Sequence, residues 1–417
     1  MTDTAANAAP ADTTTADTTT ADTTTADTAA NAAPADTTTA DTTTAADGAR
    51  RTGPVGVGVI GAGVISDQYL SNLTVFPDVR LLFIADIDLP RAAAQAEKWG
   101  VPGSGTVEEL LAHDDIEIVV NLTIPAAHVE VAQQILAAGK HVWGEKPYAL
   151  DRESATQLRD AAVAAGTTVS VAPDTFLGAG LQTALRTIRD GRVGAPLNGL
   201  TLFQSPGPES WHPSPEFLFA VGAGPLFDIG PYYLTTLVQV FGPVSKVTAT
   251  ASKARATRVI GSGPKAGTEF PVEVPTNHSA LIEFEGGGSA QSVFSFESTR
   301  GRTGFVEIAG ETGTVVFPDP NEFDGDTELY AAGAEEPETI PAVGSTYSRG
   351  TGVVDLARSI RAGVGNRVPG ALAFHVLDVM VSIAESAERG EPVLVESTVD
   401  PSPTLPEGWD PAESTLA

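Results

Sequence analysis

The chain reads as an α/β protein, with a doubly wound parallel sheet in its first half and a strand-rich second domain after it. Three observations predict this. An alternating apolar run at 55–60 leads through Gly61-Ala62-Gly63 into a helix, strands and helices alternate from there to residue 172, and strands dominate residues 197–330. Alternation at this spacing predicts parallel strands joined by helical crossovers, with a ligand at the strands' carboxyl ends.

In chain order, residues 1–48 are nearly all Ala, Thr and Asp, with Asp-Thr-Thr-Thr-Ala units and a copied block: Asp3-Thr4-Ala5-Ala6-Asn7 recurs as Asp27-Thr28-Ala29-Ala30-Asn31. Alanine alone cannot offset the entropy of ordering, so residues 1–50 are expected to form a disordered, solubilising tail. Arg50-Arg51 before an apolar stretch resembles a twin-arginine export signal, but the apolar residues that follow already form the first strand. A cytoplasmic location is expected.

Strand 55–60 meets the glycine turn. Glycine at 61 permits a tight turn, and glycine at 63 lets a pyrophosphate approach the helix N-terminus, where free N–H groups favour an anion. Val64 and Ile65, at the start of the helix, are candidate cofactor contacts, and Ser66 fills the third small position of the fingerprint. A strand at 80–85 then ends in Asp86, about 20 residues past the glycines, where a carboxylate binds both adenosine ribose hydroxyls. It also repels a 2′-phosphate, and Ile87 follows in place of an arginine, so NAD is expected over NADP. Asp88 competes for the role of Asp86 but also suits the N-cap of a helix at 89–99.

Next come a glycine-rich turn (100–105), a short helix (107–112), an apolar strand (116–122), Thr123-Ile124-Pro125 and a helix at 126–138. A strand at 141–143 leads into Glu145-Lys146-Pro147, followed by a helix at 151–165 and a strand at 168–172. Asn121, Thr123 and Lys146 all fall at strand ends, where a ligand is expected. The domains are read as 51–172 for the nucleotide, 173–400 for substrate and oligomer contacts, and 401–417 as a polar, proline-containing tail. Within the second, a helix at 181–190 precedes strands at 197–204, 244–251, 279–284, 290–297, 304–309, 314–317 and 327–330. Amphipathic helices at 353–362 and 371–389 close the domain and could pack back on the first, with His375 facing the junction.

Composition removes several classes. The absence of cysteine excludes disulfides, thiolate metal sites and cysteine nucleophiles. Fifty-three acidic against 24 basic residues argue against nucleic acid or an anionic membrane as partner. No uninterrupted apolar run reaches the roughly 18 residues of a membrane span. No Asp/Glu/His cluster has metal-ligand spacing, so no metal is expected.

The Gly-x-Gly-x-x-Ser turn, Asn-Leu-Thr-Ile-Pro-x-x-His at 121–128, Ala-Gly-Lys-His-Val at 138–142 and Glu-Lys-Pro at 145–147 together resemble the Gfo/Idh/MocA oxidoreductases. The resemblance covers roughly residues 53–395. It implies a Rossmann domain followed by a domain built on an open, mostly antiparallel β-sheet that often makes oligomer contacts, here a dimer or tetramer. It also implies that Asn121, Thr123, Pro125, His128, Glu145 and Lys146 surround the cofactor, with His128 as structural support and a cis peptide before Pro147. Lys146 would lie beside nicotinamide and substrate. Near a cationic ring its pKa should fall, letting it hydrogen-bond the hydroxyl being oxidised; the bland alternative is a loop lysine paired with Glu145.

Many relatives carry Asp-x-Gly-x-His where this chain has Asp228-Ile229-Gly230-Pro231-Tyr232. Glucose-fructose oxidoreductase and dihydrodiol dehydrogenase resemble it in carrying tyrosine at that place. A phenol, with a reference pKa of about 10, is a poor base unless a cation is near, and Lys146 would supply one. Tyr232 is therefore expected to move the proton, with Lys146 as partner and clamp. Asp228, one helical turn earlier, either binds a substrate hydroxyl, caps its helix, or does both. Tyr233 is expected in the core.

Relatives often continue with an Asn-x-Arg-like segment where this chain reads Pro173-Asp174-Thr175, so Asp174 is either a substitute substrate contact or a turn residue. Trp211 and His212 either close over a sugar ring or pack their loop against its own domain. The reading is an NAD-dependent dehydrogenase of a sugar, cyclitol or polyol. Its competitors are a redox-neutral NAD-dependent glycosidase or lyase and a non-catalytic NAD-binding regulator.

Overall fold

Strands with apolar side chains on both faces cannot remain at a surface, and six of them form a sheet covered by helices. The computed structural model describes residues 51–416, so the low-complexity tail and Arg50 lie outside the described residues. The first half runs β1 (Val55–Ile60), α1 (Ser66–Leu73), β2 (Val79–Ala85), α2 (Leu89–Trp99), β3 (Gly103–Gly105), α3 (Val107–Leu111), β4 (Ile118–Asn121), α4 (His128–Ala137), β5 (His141–Gly144), α5 (Arg152–Ala165) and β6 (Val169–Val171). All six strands are parallel, in the order β3-β2-β1-β4-β5-β6. The chain reverses its direction of winding at β1, and β1 and β4 are buried along their whole length, as strands covered on both faces must be.

Local chemistry sets the helix ends. Asp88 accepts from Arg91 N to cap α2, Thr106 and Glu109 form a capping box on α3, and Asp151 accepts from Ser154 N to cap α5. Two details depart from the sequence reading. The glycine-rich stretch 100–105 contains edge strand β3, because pairing with β2 overrides its weak strand propensity. Helix α1 begins at Ser66, leaving Val64 and Ile65 in the turn.

The second half contains α6 (Ala179–Arg189), β7 (Pro196–Gln204), α7 (Gly224–Phe241), β8 (Val244–Ser252), β9 (Thr257–Val259), β10 (Glu269–Pro271), β11 (Asn277–Phe284), β12 (Ser289–Ser295), β13 (Arg302–Gly310), β14 (Gly313–Phe317), β15 (Thr327–Ala331), β16 (Glu338–Ile340), α8 (Thr351–Ala362), α9 (Gly370–Arg389) and β17 (Val393–Leu394). Nine of these strands form one open sheet, β16-β15-β14-β13-β7-β12-β11-β8-β17, antiparallel except where β12 meets β7. Helices α6, α7 and α9 pack on one face. Leu197 and Leu281 are exposed. The short strands β9, β10, β16 and β17 carry too few alternating residues to be read from sequence.

Helices α8 and α9 pack on both halves. Arg358 on α8 binds Asp78 at 2.7 Å, Arg361 binds Glu117 at 2.6 Å, and Arg152 on α5 binds Asp378 on α9 at 2.5 Å. By length and composition α9 could cross a membrane, but its apolar face is buried between β8, α7 and α5. The stretch expected as a polar tail is docked instead: Leu405 N donates to Gln182 Oε1, and Asp78 accepts from Thr415 N, Thr415 Oγ1 and Leu416 N. Asp78, with no side-chain exposure, supplies the reason, since a buried carboxylate must be paired.

His375 on α9 has no exposed surface; its Nε2 accepts from Val244 N at 3.0 Å and its Nδ1 meets Ser397 Oγ at 2.8 Å, so it serves the second sheet rather than the junction. Burial holds its pKa down to about 4, and does the same to His278. A histidine whose folded pKa is depressed takes up its proton more readily in the unfolded chain. Its contribution is therefore complete above pH ~6.5 and is lost as pH falls from there towards 4, by on the order of 3 kcal/mol for each histidine. Urea unfolding at a series of pH values should show this decline, and His375→Gln should flatten it; equal slopes in the two proteins would exclude the linkage.

Candidate active site

The carboxyl ends of β1, β2 and β4 carry three large apolar side chains turned to solvent: Val64 and Ile87, each 95% exposed, and Ile124, 69%. Large apolar side chains left exposed at strand ends are candidates for a binding surface. Gly61 sits at φ +105°, and a Cβ there would come within 2.6 Å of Leu122 O, so only glycine fits the turn. A Cβ on Gly63 would meet no protein atom within 4 Å, leaving that side open for a phosphate. Ser66 is buried, donates to Gly63 O at 2.6 Å and accepts from Gln95, tying the turn to α2. A cleft of about 460 Å3 lies alongside, lined by Gly63, Val64, Asp67, Arg91, Gln95 and Lys98.

Asp86 receives Ala62 N at 2.7 Å and Asp88 N at 2.9 Å. Burial alone would raise its pKa, but Arg91 and these two amides hold it below the usual carboxylate value. Arg91, five residues on, binds both carboxylate oxygens, at 2.6 and 3.2 Å. An arginine thus stands where the sequence, by its Ile87, had none; the first turn of α2 brings it back. Arg91 is itself nearly half exposed.

The neighbouring strand ends are built around His128. Asn121 Nδ2 donates to His128 O, Asn121 Oδ1 accepts from Thr123 N and Oγ1, and the imidazole bridges Thr123 O and Pro147 O. Burial lowers its pKa, against the pull of the two carbonyls. Pro125 opens a short 3-10 turn ahead of α4. The Lys146–Pro147 peptide is cis. Glu145 accepts from Tyr69 Oη on α1 at 2.7 Å, which joins the helix after the glycine turn to the strand end carrying Lys146.

Lys146 reaches across to α7. Its Nζ donates to Asp228 Oδ1 at 2.7 Å and Asp228 O at 2.6 Å, and lies 5.5 Å from the centre of the Tyr232 ring. Asp228 sits in the second turn of α7, whose N-cap position is Ala223, so it holds lysine rather than the helix end. Burial alone would lower the Lys146 pKa, but Asp228, Tyr232 and Glu145 outweigh it and the net shift is upward, not the fall expected from sequence. The surroundings of Lys146 thus favour its charged form. The Tyr232 hydroxyl accepts from Arg349 Nη2 at 3.1 Å, and burial raises its pKa against the pull of Lys146 and Arg349.

Asp174 is no surface for a sugar. It is fully buried, and its Oδ2 accepts from Gly350 N and Gly352 N at the start of α8. Trp211 meets His212 edge to face, and His212 meets Phe217 in the same way, within their own loop. That loop is pinned to its own domain by Arg258, 1% exposed, which binds Glu209 at 2.5 Å and Glu297 at 2.8 Å above a small core of Leu218, Phe219, Ile260, Phe270, Val272 and Phe296. Tyr233 is in the core, accepting from Gly304 N. Arg349, Asn321 and Tyr69 were missed from sequence, because each reaches the site from a separate segment with no spacing signal. Among the described residues no group of His, Asp and Glu could hold a metal ion.

These features agree with what the chain is similar to. Residues 55–173 match the family described as "Oxidoreductase family, NAD-binding Rossmann fold", and residues 181–316 match the "GFO/IDH/MocA C-terminal domain". A trans-1,2-dihydrobenzene-1,2-diol dehydrogenase from Mus musculus is 25% identical over 300 residues, 70% of this chain and 82% of the relative. An inositol 2-dehydrogenase from Agrobacterium fabrum is 33% identical over 149 residues, 34% of this chain and 44% of the relative. Among solved structures, a levoglucosan dehydrogenase in complex with NADH and L-sorbose superposes with a TM-score of 0.73 at 22% identity, covering 82% of this chain and 99% of that one; at this identity the likeness is one of fold. The glycine turn, the Glu-Lys-Pro strand end and the sheet that follows thus identify the chain as an NAD-binding member of the Gfo/Idh/MocA oxidoreductases.

Proposed function

We propose that the protein moves a hydride between NAD and a secondary alcohol carbon of a sugar, cyclitol or related polyol. The observation that carries this is the Lys146–Asp228–Tyr232 cluster: a fixed cation, a carboxylate and a phenol meet at the strand ends beside the glycine turn. Bound NAD supplies a cationic ring that accepts hydride at C4. The chain's residues manage the proton. In oxidation the Tyr232 phenolate would take the alcohol proton while the carbinol C–H gives its hydride to NAD; in reduction the neutral Tyr232 O–H would give its proton to the forming alkoxide. Lys146, protonated throughout, hydrogen-bonds the reacting oxygen and supports its negative charge. Asp228 orients Lys146 and, with its second oxygen, takes a neighbouring hydroxyl. The names of the inositol and dihydrodiol dehydrogenases support a substrate of this class.

The test is absorbance at 340 nm with NAD, then NADP, against monosaccharides, inositols and aryl glycosides. NADH is expected to form with NAD in preference to NADP, and Tyr232→Phe should reduce the rate by about 10²-fold or more. Silence across the panel, with nucleotide retained in the purified protein, would instead favour a redox-neutral or regulatory role. The exposed leucines of the open sheet support a dimer or tetramer; a monomer by light scattering on the same preparation would contradict that.

A further inference from the structure

Arg349 lies in the loop before α8, outside every motif of the nucleotide half, and its backbone is held from two sides. Its carbonyl accepts from Asn72 Nδ2 on α1 at 2.9 Å. The next residue, Gly350, at φ +103°, gives its N–H to Asp174 Oδ2, as does Gly352. The side chain is only 11% exposed. Its Nη2 donates both to Tyr232 Oη and to Asn321 Oδ1, each at 3.1 Å.

The remaining nitrogens are less well matched. Nη1 stands 4.0 Å from Asp174 Oδ1, and neither Nη1 nor Nε makes a hydrogen bond. An arginine buried only for structure gains most from a bidentate carboxylate pair. Here the guanidinium is offset from Asp174, and one of its two close contacts is a phenol oxygen. Burying a guanidinium with unmatched donors is costly, so the geometry is informative where it departs from best pairing.

We propose that Arg349 is a positioning residue for proton transfer at Tyr232: it donates to the phenol oxygen, turns the remaining proton position towards the substrate, and supports the phenolate. The inference rests on the reading of Tyr232 as the proton-transfer group. The O–H bond made or broken is at Tyr232 Oη, and Arg349 keeps all its protons. Two cations, Lys146 and Arg349, face the ring, with the carboxylates of Glu145 and Asp228 opposing them; Asp174, in the turn after β6, and Tyr69 on α1 face Arg349. Burial drives the phenol towards neutrality, and the two cations work against burial. Losing either cation should make Tyr232 a weaker acid.

The test uses the full chain, labelled with carbon-13 at tyrosine Cζ and saturated with NAD. There are six tyrosines, and the signal absent in Tyr232→Phe is the one to follow. In Arg349→Gln its ionisation midpoint should lie at least about one pH unit above wild type, a tenfold weaker acid, with Arg349→Lys in between because it keeps the charge. Melting curves show which variants are folded, and Arg349→Lys serves if the glutamine variant is not. Coincident midpoints in wild type and Arg349→Gln would overturn the proposal. Failure of the underlying reading looks different: Tyr232→Phe would then keep NADH formation on the sugar panel, whatever the titration shows.

Discussion

Replacing Lys146 by alanine is expected to lower turnover by about 10³-fold or more while NAD still binds. The cation is 16% exposed and held by two oxygens of Asp228, which is the placement the proposed role requires. Its pKa is shifted upward, so it should not titrate in the neutral range, and its loss should not remove a limb of the pH–rate profile. Lys146→Ala should therefore depress the profile at every pH, whereas Tyr232→Phe should abolish the limb that reports proton transfer. NAD affinity, read by quenching of protein fluorescence, checks that the fold and nucleotide site survive. A Lys146→Ala enzyme retaining a tenth of wild-type turnover would remove the lysine from the mechanism.

The largest effect on stability should come from Asp174→Ala, on the order of 3–5 kcal/mol. Its carboxylate satisfies two N–H groups of the first turn of α8 and is the negative charge nearest buried Arg349. Alanine strands both kinds of partner at once. The site cannot collapse to compensate, because the start of α8 is already in close contact with β5: a Cβ on Gly352 would lie 2.0 Å from the Trp143 ring. Asp174→Asn keeps an acceptor for the two amides and removes the charge, so it separates the terms. Denaturant unfolding should rank wild type, then asparagine, then alanine. If both variants stay within about 1 kcal/mol of wild type, the cap is not a stabilising feature.

What could be read from sequence followed the range over which its signals act. Gly61, Gly63, Asp86 and Lys146 lie on one continuous strand–turn–helix pattern, and local periodicity placed each at a strand end. Asp88, as a cap, is equally local. Arg349, Asn321 and Asp174 come together only when segments from three places in the chain close over Tyr232, and no spacing rule connects them. The same limit applies to the two pKa shifts. Burial and the Asp228 carboxylate are tertiary facts: burial raises the Tyr232 pKa, and Asp228, working against burial, raises that of Lys146. Strands β9 and β10 were missed because they are three residues long and are held by buried Arg258, not by an alternating pattern.

The Asp78 clamp has a consequence for the order in which the protein is made. Asp78 lies just before β2, yet the amides that neutralise it come from Thr415 and Leu416, more than 330 positions later. Arg358, its other partner, is 280 positions away. At ribosomal speeds of about 5–20 residues per second, the nucleotide half emerges with this carboxylate unmatched for roughly 15 to 70 seconds. Until then an ion that the finished protein hides completely must stay in water. The first sheet can take shape during synthesis, but its lower edge is sealed only when the C-terminal segment has arrived.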